Sequence, residues 1–122
     1  MTDDARLAAF RSMVEKDPGS IMGHYLLGTE LIKTGRFSEA AEALRTCVGL
    51  KEDYSAAWRD LGKALHAAGR LDEARAAWTR GIEVATKRGD LQTIREMEVF
   101  LRRHPFFFSS GEKESVDGKK KI

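Results

Sequence analysis

Arg59 and Lys63 stand four residues apart in a stretch of helical periodicity, so their cationic ends fall on adjacent turns and can jointly meet a carboxylate or an acidic side chain. The residues 34 positions before them are Tyr25 and Thr29, and Ile32 and Lys33 extend the first set as His66 extends the second. Tyr25, Thr29, Ile32, Lys33, Arg59, Lys63 and His66 thus make a candidate recognition strip, with cations for an acidic partner and apolar area from Tyr25 and Ile32. Catalytic chemistry has no comparable set. His24, His66 and His104 are scattered, without a His or acidic partner at metal-ligand spacing such as His-x-x-x-His. Neither a phosphate-cradling G-x-x-x-x-G-K-[ST] loop nor a Gly-x-Ser-x-Gly elbow occurs. Cys47 is the sole thiol, which excludes an internal disulfide and a cysteine pair for zinc, and its place on an apolar helical stripe assigns it to packing. The expectation is a protein that is not an enzyme, with no cofactor, no metal and no small-molecule substrate.

Charge narrows the partners. The chain of 122 residues is 42% apolar and 33% charged with a formal net charge of +2, the balance of a globular protein dense in surface ion pairs. No field of the whole molecule calls for nucleic acid or an acidic membrane. Residues 55–88 carry seven Lys or Arg against four Asp or Glu, and residues 21–54 four against five, so the second half of this region is the basic one. Nucleic-acid binding would need those cations on one face, whereas Arg59 and Lys63 belong to one helix, Arg75 to the outside of another, and Glu73 and Glu83 lie between. Nucleic acid is disfavoured as a partner. The start, MTDDARLAAF, is acidic where a secretory leader would be basic, and no apolar run approaches membrane-spanning length, so the expected location is cytoplasmic with no membrane contact.

The strip needs elements to hold it, and an internal repeat supplies them. LGTELIKTGRFSEAAEAL (27–44) lies over LGKALHAAGRLDEARAAW (61–78) at an offset of 34, with eight identities in eighteen positions. Chance would give about one. Trp58, Leu61, Gly62 and Leu65 fall at i, i+3, i+4 and i+7, one stripe of a helix, and His24, Leu27, Gly28 and Leu31 repeat it. Gly35 and Gly69 arrive where each first helix must turn through the left-handed region. A second helix follows each time, with Ala40, Leu44, Cys47 and Val48 matched by Ala74, Trp78, Gly81 and Ile82. A mid-helix glycine costs about 0.8–1.0 kcal/mol relative to alanine, so Gly28 and Gly62 imply close approach of the paired helices, opposite the small Ala40 and Ala74.

The positions of Trp58, Leu61, Gly62, Leu65, Ala74 and Trp78 resemble the tetratricopeptide repeat, with its 34-residue period and aromatic, Leu-Gly, Ala and aromatic landmarks. Residues 21–88 match as two full units, 21–54 and 55–88; His24 stands at the Trp position of the first, and neither unit has the usual proline before the next. The resemblance implies an all-α fold, a right-handed superhelical stack of antiparallel helix hairpins, with first helices lining a concave surface that holds peptides. Chaperone-binding members grip a terminal carboxylate with lysines and asparagines on these helices. This sequence has no asparagine and places Asp60 beside the proposed site, so that clamp is not carried over.

Flanking helices complete the stack. Residues 2–16, with Leu7, Phe10, Met13 and Val14 on one side, resemble the second helix of a unit whose first is absent, and Pro18 falls at the missing proline position. Asp90 is a good N-cap for a helix over 90–104, with Leu91, Ile94, Met97 and Leu101 as its apolar face. Arg95 or Glu96 stands there where glycine would be, so this reads as a closing helix rather than a third repeat. The expected organisation is one domain over 1–104, six helices in all, followed by a largely disordered tail at 105–122. Phe106 to Phe108 either pack back on the end helices or meet a partner or another copy. The expected function is a scaffold that binds another protein, through a peptide or helical segment of acidic character in the concave groove. The alternative is a homo-oligomer assembled through the solenoid ends.

Overall fold

The computed structural model describes residues 3–103. Six helices follow one another: α1 (Asp3–Lys16), α2 (Ile21–Lys33), α3 (Phe37–Leu50), α4 (Ser55–Ala67), α5 (Leu71–Arg88) and α6 (Leu91–Arg103). No strand occurs among the described residues, and no helix of theirs is long and apolar enough to cross a membrane. The expectations for Phe106–Phe108 and for a disordered tail lie outside the described residues.

The three glycines in the turns have φ of 79° at Gly35, 82° at Gly69 and 72° at Gly89. A side chain with a Cβ pays a steric cost there, and glycine does not. After each, the next amide returns to a carbonyl five residues back, Arg36 to Leu31 at 2.8 Å, Arg70 to Leu65 at 2.9 Å and Asp90 to Ala85 at 2.9 Å. These bonds satisfy carbonyls that the helix end would otherwise leave open. Helix α2 is capped at its start by Ser20, whose Oγ accepts the Gly23 amide at 2.9 Å.

Each hairpin closes on a glycine notch. A Cβ built on Gly28 would lie 2.5 Å from Leu44 Cγ, and one on Gly62 would lie 2.1 Å from Trp78 Nε1. The close approach expected at these glycines is therefore present, but the residue opposite is the large Leu44 or Trp78, not Ala40 or Ala74. A bulky knob fills the space the glycine leaves. The Trp78 indole then donates to the Arg59 carbonyl at 3.1 Å. Around these knobs Leu27, Leu31, Leu61, Leu65, Cys47 and Met97 are buried in one continuous core. Burial pushes the Cys47 thiol up to about 11, which keeps it protonated and unreactive.

The hairpins stack with a fixed sidedness. α2 and α4, and α4 and α6, approach within 8 Å between Cα atoms, whereas the outer helices α1, α3 and α5 do not approach one another. Closer spacing on one side bends the stack toward the first helices. Long side chains bridge the outer gap instead, Arg11 to Glu39 at 2.9 Å and Arg45 to Glu73 at 3.0 Å, two pairs related by the same offset of 34. The repeat also explains the departure at His24. Trp58 Nε1 donates to the Glu52 carbonyl at 2.7 Å, and His24 Nε2 meets the Pro18 carbonyl, 34 residues earlier, at 2.8 Å. Since a carbonyl only accepts, that nitrogen carries the proton, and the imidazole performs the indole's task.

The notch gives opposite outcomes for two helical glycines. Nothing lies within 4 Å of a Cβ on Gly49, so Gly49→Ala should gain up to about 1 kcal/mol of helix propensity. Gly62→Ala gains the same propensity but displaces Trp78, a cost of about 1–3 kcal/mol that wins. Thermal melts followed by circular dichroism should move up for the first and down for the second.

Candidate functional site

The strip residues sit on α2 and α4, and their fates diverge. Tyr25 is half-buried, its ring stacked on Tyr54 with centroids 4.9 Å apart and its hydroxyl donating to Asp60 Oδ2 at 2.7 Å. Burial and then the bond to Asp60 hold its phenol well above the usual range. Tyr54 is raised as well, chiefly by burial. Asp60 itself is 5% exposed and takes Arg59 Nε on Oδ1 at 3.0 Å. The other end of that guanidinium reaches Glu96 on α6 at 2.8 Å. Burial works against the charge on Arg59, but the bonds and charges of Asp60 and Glu96 overcome it and hold the guanidinium protonated. Hence the joint grip on a partner carboxylate expected of Arg59 with Lys63 is not available: Arg59 is committed inside the molecule.

These contacts follow a rule along the inner layer. The fifth residue of one first helix gives its polar end to the sixth residue of the next, as Tyr25 does to Asp60 and Arg59 to Glu96. Ser55 adds a third link, its hydroxyl donating to Asp90 Oδ2 at 2.7 Å. Asp90 also accepts the Thr93 amide on Oδ1 at 3.3 Å, which makes it the N-cap the sequence suggested. The bond from Ser55 first, and that from Thr93 second, hold its carboxyl below the usual range.

What remains open to solvent is a smaller set. Lys33 and Lys63 are exposed, and no salt bridge among the described residues holds either. Ile32 is half-buried against the core, and the Thr29 hydroxyl is turned to the Leu26 carbonyl at 3.1 Å. His66 is half-buried, 6.1 Å from the Trp78 ring between centroids. The geometry adds one cation that the sequence reading left out. Helices α2, α4 and α6 are all 13 residues long, but α6 starts 36 residues after α4 rather than 34. Arg95, exposed on α6, therefore occupies the register of Arg59, and Glu98 stands where Gly62 does, in place of the Arg95 or Glu96 expected there. Matching helix starts rather than a fixed offset would have found both.

The inner layer therefore presents Lys33, Lys63 and Arg95 as solvent-facing cations over a floor whose carboxylates, Asp60 and Glu96, are already occupied.

Comparison with known proteins gives a consistent picture. The profile of the tetratricopeptide repeat matches residues 25–89. The chain is 39% identical over 97 residues to "TPR repeat-containing protein PA0015" of Pseudomonas aeruginosa, a match over 80% of this chain and 92% of that one. The solution structure of protein BPP2914 from Bordetella parapertussis superposes with a TM-score of 0.69 at 33% identity, covering 80% of this chain and 84% of that one. A crystal structure of MamA gives a TM-score of 0.67 at 22% identity, covering 80% of this chain and 56% of that one, which is a likeness of fold.

Two side chains of the strip separate structural from surface roles. Asp60→Ala leaves Arg59 and the Tyr25 hydroxyl without their shared acceptor and should cost roughly 3 kcal/mol, whereas Lys63→Ala should stay within about 0.5 kcal/mol of the parent in urea unfolding. Asp90 carries a pH signature. A carboxyl with a depressed folded pKa stabilises above its unfolded value and loses that contribution as pH falls through the folded one. Asp90→Ala should therefore lower stability by about 0.5–2 kcal/mol at neutral pH, with the difference shrinking below about pH 4.

Proposed function

This chain belongs to the tetratricopeptide repeat family, and from that premise we propose that it captures an acidic peptide or helical segment of another protein along the inner face of α2, α4 and α6. The coarse role follows from the family: a helical solenoid that serves as a protein-protein interaction module. The finer reading is supported by one observation above the rest. On the inner face the acidic side chains at the helix junctions are consumed by internal bonds, while Lys33, Lys63 and Arg95 are left facing solvent. An acidic segment crossing that face meets unsatisfied positive charge and no competing free carboxylate.

Physics favours a shallow, rate-driven encounter. Exposed lysines contribute to steering and register more than to residence time, and their effect falls with salt. Tyr25 and Arg59 serve this face indirectly, by locking the spacing of α2, α4 and α6, so that the three cations keep their separation. Ile32 and His66 flank the cations with half-buried surface suited to apolar side chains of the same segment.

Lys33→Glu with Lys63→Glu tests the reading without touching the internal network. Capture of the main partner from lysate should fall roughly tenfold or more, about 1.4 kcal/mol, with helicity and melting unchanged. A photo-crosslinking side chain at position 63 should form adducts that the same side chain at Lys87, on the outer helix α5, does not. Undiminished capture by the double variant, with adducts at position 87 alone, would move the binding surface off the inner face.

A further inference from the structure

The two ends of the stack are complementary halves of one repeat. Helix α1 spans 14 residues, as α3 does, and starts 34 residues before it, so it matches a second helix with no first helix before it among the described residues. Helix α6 spans 13 residues, as α2 and α4 do, and matches a first helix with no second helix after it among the described residues. We propose that α1 of one copy seats on the α5–α6 end of another copy, completing a repeat across the joint and extending the solenoid head to tail.

Register identifies the surfaces. In α3 and α5 the notches of the first helices are filled by Leu44 and Trp78, with Ala40, Ala43 and Cys47, and Ala74, Ala77 and Gly81, buried around them. Their counterparts in α1 are Arg6, Ala9, Phe10 and Met13, of which Ala9 is exposed and Met13 is 37% exposed. Arg6 turns to Glu30 of α2 and Phe10 packs on the core of its own chain, so Ala9 and Met13 are the part of this face that no helix among the described residues covers. At the other end a groove runs between α5 and α6, lined by Arg75, Ile82, Glu98, Leu101 and Arg102. The residues matching Arg75 and Ile82 one repeat earlier, Ala41 and Val48, are buried at 0% and 5% exposure under the helices that follow. The groove therefore lies where a further second helix would pack.

Charge sets the direction and favours a second copy over other occupants. Second helices run antiparallel to their first helices, so the start of the incoming α1 lies beside the end of α6. The first carries Asp4, exposed, and the second ends in Arg102 and Arg103. Opposite signs meet at the joint, and each also complements its own helix dipole. Glu98 stands at the glycine position opposite Phe10 of the second copy, so this joint closes less tightly than the hairpins within a chain and is the weaker contact. The joint uses two different surfaces, so each added copy presents a fresh end, and a joint that continues the solenoid's own repeat extends it as an open superhelix. The inner face stays open throughout, so this assembly is independent of peptide capture.

Light scattering of the full chain from roughly 10 μM to roughly 1 mM, the range where a modest interface assembles, should show a mass that climbs past two copies. Ala9→Arg spoils the α1 surface, and Arg102→Glu with Arg103→Glu spoils the α6 surface; all three positions are exposed, and melting confirms the fold. Each variant alone should be monomeric. Mixed in equal amounts they should form a dimer and nothing larger, because one live joint remains between two dead ends. A native chain that is monomeric across the range overturns the proposal. So does growth that stops at a native dimer, association of either variant alone, or a mixture that stays monomeric.

Discussion

Everything in this molecule depends on how closely two helices of a hairpin can approach. Gly28 and Gly62 open a notch in the first helix, and Leu44 and Trp78 fill it from the second. Because the knob is a large apolar side chain, the notch brings the backbones together and also buries Trp78 and Leu44, among the largest fully buried side chains of the described residues. The Trp78 indole, bonded to the Arg59 carbonyl, ties that packing to the backbone of α4. From this one approach the hairpin angle follows, from the angle the stack, and from the stack the inner face that carries Lys33, Lys63 and Arg95.

A second layer of order is polar and runs across the hairpins. Tyr25 with Asp60, Arg59 with Glu96, and Ser55 with Asp90 join successive first helices at nearly equal heights. Apolar packing alone would tolerate small slips between units, since many arrangements bury similar area. A buried carboxylate that must find its donors tolerates far fewer. The inner face is therefore held by the residues that at first sight looked like its binding groups. At the α1–α2 junction the same principle is less complete: Arg6 Nε meets Glu30 Oε1 at 3.1 Å, while the other oxygen of this buried carboxylate has no hydrogen-bond partner among the described residues. Its equivalent in the second unit is Ala64, which needs none.

The hairpins were legible because their physics repeats at a constant spacing. Gly35, Gly69 and the Leu-Gly pairs announce turns and notches by residue type alone, and α2 to α5 fall where that spacing puts them. The register of α6 was not legible in the same way. Helix α5 runs for 18 residues against 14 in α3, so the constant offset fails after Arg88 and misplaces the residue at the glycine position. The commitment of Arg59 was hidden for the same reason, because its partner Glu96 lies beyond the shift. Asp60, next to Arg59 in the chain, was the one visible sign that the cation had an acceptor close by.

The outer side of the stack has a mechanical meaning. Between α1, α3 and α5 the backbones stand apart, and arginine-glutamate links at the surface span the gaps, Arg11 with Glu39, Arg45 with Glu73 and, at 3.9 Å, Arg70 with Glu42. Exposed links of this kind are weak and are screened by dissolved ions. The spine is tied by buried bonds and the rim by surface pairs, so dissolved ions loosen the rim's links before they touch those of the spine.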